Sequence, residues 1–106
     1  MNNPMTPLEE VFLKHSDKYA EFDGMDKDSP NRLHSSPDIC GLLILDRLAP
    51  ITTWNTSRIL LCNGSGAYLR VDLEVLTESA TEQDVEDLLR CGIRYSIGYD
   101  HLYLSY

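Results

Sequence analysis

Residues 81 to 105 carry the pattern that most restricts how this chain can fold. Thr81-Glu82-Gln83-Asp84 reads as a helix start: a hydroxyl is placed to accept from the first free N–H groups, and acidic side chains crowd the first turn. From about Glu82 to Cys91, Val85, Leu88 and Leu89 recur at i, i+3 and i+4 and define one apolar stripe. Glu82, Asp84, Glu86 and Asp87 sit near the helix's N-terminal half, where carboxylates suit its dipole. Gly92 is the expected stop. Two alternating segments follow, Ile93-Arg94-Tyr95-Ser96-Ile97 and His101-Leu102-Tyr103-Leu104-Ser105, joined across Gly98-Tyr99-Asp100. Their alternation puts Ile93, Tyr95, Ile97, Leu102 and Leu104 on one face of a hairpin. A helix with one apolar stripe beside a hairpin with one apolar face predicts a layer of helix on antiparallel sheet.

The rest of the chain extends that layer. Thr6-Pro7-Leu8-Glu9 repeats the cap signature with proline at the first helical position, and predicts a helix from about Pro7 to Tyr19. Leu8, Val11, Phe12, His15 and Tyr19 fall on its inner side. Residues 23 to 31 hold turn formers and little apolar content, so a solvated loop is expected, with 1–5 and 23–35 flexible. Ser36-Pro37-Asp38 opens a second helix that runs through Ile39 to Leu48 and stops at Pro50; a strand is the alternative, since Gly41 weakens a helix by about 1 kcal/mol relative to Ala. Arg58-Ile59-Leu60-Leu61-Cys62 and Tyr68-Leu69-Arg70-Val71-Asp72-Leu73 flank Asn63-Gly64-Ser65-Gly66 and predict a hairpin. The glycines there suit a turn, and the lysine and helix of a phosphate loop are missing. The order α-α-β-β-α-β-β predicts a single α+β domain over residues 1–106, a four-stranded antiparallel sheet from two hairpins with about three helices on one face.

Composition narrows the function classes. With 106 residues and 42% hydrophobic content, one core without staples is within reach. The longest apolar run, Gly41 to Leu45, ends at Asp46-Arg47, far short of a membrane span. Met1-Asn2-Asn3-Pro4 shows no basic n-region and no apolar stretch behind it, and Cys40, Cys62 and Cys91 are too few and uneven for a disulfide framework, so a cytoplasmic setting with reduced thiols is expected. Nine basic against 17 acidic residues give a net charge of −8, with acid concentrated toward both ends. Such a field repels phosphates, so direct nucleic-acid binding is disfavoured, while a basic protein would be attracted.

Candidate functional residues come from strand alternation. It places Arg70, Asp72, Arg94, Ser96, His101 and Tyr103 on the sheet face away from the helices. Guanidinium, carboxylate, imidazole and phenol groups together suit an anionic ligand or a polar partner interface; simple cross-strand pairing is the bland reading. No catalytic arrangement is evident. Asp100 and His101 are adjacent on a strand and point to opposite faces, and no Cys-x-x-Cys or His-x-x-x-His spacing suggests a metal. No cofactor is implied. Tyr95, Tyr99, Tyr103 and Tyr106 crowd the last twelve positions, and tyrosine favours interfaces. If the last strand lies at the sheet edge, strand addition to a second copy follows, with Tyr99, Tyr103 and Tyr106 at the seam.

Val71-Asp72-Leu73-Glu74, Thr81 to Val85, Leu88 to Tyr95 and Asp100-His101-Leu102 together resemble short uncharacterised bacterial proteins, some of them from mobile elements such as integron gene cassettes. The resemblance covers roughly the C-terminal half. It implies a bacterial or mobile-element origin, an α+β fold and no established activity. The sequence reading is a small non-enzymatic binding or adaptor protein, partnered by another protein or by itself, with no membrane contact. Two alternatives stand beside it: a small-ligand binder or enzyme on the polar sheet face, and an acidic inhibitor or immunity-type protein acting on a basic partner.

Overall fold

The computed structural model describes residues 7–96 and 101–105. In chain order it contains α1 (Pro7–Lys14), α2 (Pro37–Leu48), β1 (Ile59–Asn63), β2 (Gly66–Leu69), α3 (Leu73–Ser79), α4 (Glu82–Arg90), β3 (Ile93–Ser96) and β4 (His101–Ser105), with 3₁₀ turns at Ser16–Lys18 and Phe22–Gly24. The strands form one antiparallel sheet in the order β1-β2-β4-β3. This is the expected α+β fold. Its core lies between one sheet face, carrying Leu69, Ile93, Tyr95, Leu102 and Leu104, and Phe12, Ile44, Leu76 and Leu88 of the four helices. Each fully buried leucine or isoleucine stabilises by about 1.5–3 kcal/mol.

Local chemistry explains the elements. Thr81 and Asp84 form a reciprocal capping box at the start of α4, and Gly92, at φ 91°, turns the chain from α4 into β3. Val85, Leu88 and Leu89 face inward as their spacing requires. Residues 37–48 are helical, and Gly41 has a reason to be there. A Cβ at that position would lie 2.7 Å from Ile93 Cδ1 and 3.0 Å from Cys91 Cβ, so the missing side chain lets α2 settle onto the start of β3. Cys40 and Cys91 are buried and Cys62 is exposed. Burial, reinforced by contact with Cys40, pushes the Cys91 thiol well above its ordinary pKa, so it stays protonated.

The structure departs from the sequence reading in four places. The first helix ends at Lys14 rather than near Tyr19, because the chain turns through a 3₁₀ segment and Ala20, at φ 61°, to donate its N–H to Leu89 O at 2.8 Å. The Thr6 cap lies outside the described residues. The strand expected over 68–73 stops at Leu69. Asp72 accepts from the N–H groups of Glu74 and Val75 at 3.1 and 3.2 Å and so starts α3, a helix the alternating 69/71/73 pattern concealed. Asp72 is therefore a cap and not a group on the sheet face. β4 lies inside the sheet between β2 and β3, which corrects the expectation of a C-terminal edge; both of its ladders are occupied.

The fourth departure is the loop expected to be solvated. Met25 and Asn31 are buried, at 3% and 1% exposure, and Asn31 organises a polar network under α4. Its amide donates to Asp84 Oδ1 at 2.9 Å and Asp87 Oδ2 at 2.7 Å, while Arg47 donates to Asn31 Oδ1 and Asp84 Oδ1. Gln83 and Ser29 donate to Asp87. Burial alone would raise the Asp84 carboxyl, but hydrogen bonds from the Thr81 backbone, Asn31, Arg47 and the Thr81 hydroxyl together hold it below the usual value. Two of the four acids expected to suit the helix dipole thus point inward and tie residues 25–31 to α2 and α4.

Candidate functional site

Alternation along the strands builds the outer sheet face. Across it Tyr68 pairs with Tyr103, Tyr103 with Arg94, and Ser96 with His101. The Tyr68 and Tyr103 rings meet edge to face at 4.9 Å, and His101 meets Tyr68 at 6.4 Å. The Arg94 guanidinium lies over the Tyr103 ring at 5.4 Å and the Tyr19 ring at 5.7 Å. Tyr19 reaches this side by a hydrogen bond from its phenol to the Ser105 hydroxyl. A shallow cavity of about 370 Å³ opens between Asn63, Tyr68, Arg94, Ser96 and Tyr103.

Of the sequence candidates, Arg94, His101 and Tyr103 share this face. Arg70 does not join them: it follows the end of β2, stays exposed, and donates from Nε to Ser57 O at 3.0 Å. Asp72 caps α3. Tyr99 and Tyr106 lie outside the described residues. Tyr103 is 7% exposed on an interior strand, and its hydroxyl donates to Asn63 Oδ1 at 3.0 Å and shares a hydrogen bond with Ser65 Oγ at 2.9 Å. That makes it a clamp on the β1–β2 turn. Tyr103→Phe is expected to cost about 1 kcal/mol in urea unfolding while leaving the molar mass in solution unchanged. A changed mass would return Tyr103 to the interface.

A different surface stands out by its burial. All five residues of β1 are exposed, Ile59 and Leu60 at 40% and Leu61 at 62%. Among the described residues β1 bonds only to β2, and a bulge interrupts that ladder between Ile59 and Leu61. Before it, the loop turns at Asn55, φ 58°, and holds Trp54 91% exposed. A cleft of about 600 Å³ runs between this loop and α2, lined by Ile39, Leu42, Leu43, Asp46, Ile51 and Arg58. Arg58 braces its floor, donating to Ala49 O at 2.9 Å and Arg70 O at 2.7 Å with Asp46 3.5 Å away. Burial draws the Arg58 pKa down against that carboxylate's pull, and the group remains charged at neutral pH. The signal for this surface was present in the sequence as a strand with no polar alternation and a tryptophan set among polar residues.

Among the described residues, no three His, Cys, Asp or Glu side chains are placed to hold a metal ion, and no helix is long and apolar enough to cross a membrane. Comparison with known protein families, with curated proteins and with solved structures finds no match.

Proposed function

We propose that this chain is a non-enzymatic protein-binding module whose working surface is the cleft beside α2, Trp54 at its lip and the β1 strand that follows. The observation that carries the reading is Trp54, 91% exposed between Thr53 and Asn55, which line the cleft of about 600 Å³. Large apolar side chains held outward together mark association surfaces, and tryptophan is the side chain most enriched among the anchors of protein interfaces. The acidic-inhibitor reading draws less support. Asp84 and Asp87 turn into the core, while Glu82 and Glu86 face Lys14 and His15 at 3.2 and 3.1 Å. A second reading, small-ligand binding on the outer sheet face, draws on the Arg94 guanidinium held against Tyr19 and Tyr103. We place the protein in the cytoplasm, a setting that suits its three free thiols.

The test is capture from cells that produce the protein, with wild-type and Trp54→Ala chains immobilised in parallel. A partner retained by wild type and weakened about 30-fold by the substitution, the factor that 2 kcal/mol makes, is the expected result. Identical recovery on both would overturn the reading.

A further inference from the structure

The β1 edge has a property that selects its occupant. An edge strand presents alternate N–H and C=O groups with no strand beyond them, and soluble proteins ordinarily blunt such an edge with charge, proline or a covering element. Ile59-Leu60-Leu61-Cys62-Asn63 contains neither a charge nor a proline, and every residue in it is exposed. The one blunting device present is the bulge at Leu60.

Charge then narrows the choice of partner. The chain carries −8 overall, yet between Asp46 and Asp72 there is no carboxylate and there are three arginines, Arg47, Arg58 and Arg70. The strand lies in the middle of that stretch. It is a place where two copies of an acidic chain can meet without setting carboxylate against carboxylate along the strand. The strand is also compatible with itself. Antiparallel pairing about a two-fold axis at Leu61 sets Leu61 against its own counterpart, Leu60 against Cys62, Ile59 against Asn63 and Arg58 against Gly64, so no like charges are directly opposed.

We propose that β1 is the dimerisation edge of this protein and that its occupant is a second copy of the chain, added antiparallel to extend each four-stranded sheet into one of eight. The inference rests on the reading of β1 as part of a protein-binding surface and names the partner of that part. The cleft and Trp54 stay open for another protein. Strand addition supplies main-chain hydrogen bonds, and Leu61 supplies the side-chain contact at the axis on the outer sheet face, where its partner residue Tyr68 also lies.

Light scattering during size exclusion, over a wide range of concentration, tests this with four chains. Wild type is expected to rise toward twice the chain's mass. Leu61→Lys places like charges on the axis and is expected to remain monomeric at every concentration; its circular dichroism stays at wild type because Leu61 is 62% exposed, and its melting matches that of wild type diluted to the monomer. Leu61→Glu behaves the same way alone, and an equal mixture of the lysine and glutamate variants regains the dimer mass. Trp54→Ala keeps the dimer. A strictly monomeric wild type overturns the inference, as does a Leu61→Lys chain that still dimerises or a mixture that does not recover. The capture experiment with Trp54→Ala reads the binding-module proposal separately, so failure of the second-copy inference leaves that result standing on its own.

Discussion

Leu88→Ala should lower the unfolding free energy by about 2–5 kcal/mol, the range for a large side chain removed from a core that cannot fully collapse around the space. Leu88 has no exposed surface and sits on α4 where that helix faces the sheet. Its cluster includes residues of α1, α2, α3 and both central strands, so little of the surroundings is free to move inward. For a domain of this length, whose total stability is of order 5–15 kcal/mol, such a loss can consume much of the margin. Urea unfolding followed by far-ultraviolet circular dichroism is the right readout. The single tryptophan, Trp54, is already exposed in the folded chain and its fluorescence is a poor witness to unfolding. A loss below about 1 kcal/mol would mean that the inward face of α4 is not the one described.

Asn31→Ala is expected to cost about 3 kcal/mol, unusual for a residue in a loop. Its amide donates to two buried carboxylates and its carbonyl accepts from Arg47, so truncation leaves three groups with less than they need. The dependence on acid gives the mechanism its own signature. Asp84 is held below the ordinary carboxylate pKa in the fold. Its contribution is therefore complete above about pH 4, the unfolded value, and disappears as pH falls through the lower folded value. Asn31→Ala removes one of the hydrogen bonds that hold it down. The difference between wild type and variant should be largest near neutrality and should narrow as the pH is lowered. A difference that stays constant with pH would point to lost packing instead.

Where the sequence spoke clearly, the determinants were local. Thr81, Asp84 and Gly92 fix the ends of α4 within a few residues of chain, and strand alternation correctly grouped Arg94, His101 and Tyr103. Asp72 shows the limit of that logic. The spacing of Leu69, Val71 and Leu73 fits a strand as well as it fits a chain leaving one strand and entering a helix, and only the bonds accepted by Asp72 decide. Asn31, Asp84 and Asp87 were hidden for another reason: each is a residue type that belongs on the surface, and their burial depends on meeting across more than fifty residues of chain. The position of β4 in the sheet, and hence the identity of the two edges, β1 and β3, is likewise a property of the whole topology. The apolar residues around Trp54 are plain in the sequence, but their meaning required knowing which strands lie at the edges of the sheet.

The interior place of β4 also governs when this sheet can exist. Among the described residues β3 bonds to no strand but β4, and it meets β2 only through β4. As the chain leaves the ribosome, β1 and β2 can close their two-residue turn early, and α4 can form on its cap. The two halves of the sheet nevertheless remain unconnected until residues 101–105 emerge. Until that moment the apolar sides of the helices have only one another and the first hairpin to pack on, and nascent chains with incompletely covered surfaces are the natural clients of chaperones. The sheet closes only when β4 takes its place between β2 and β3.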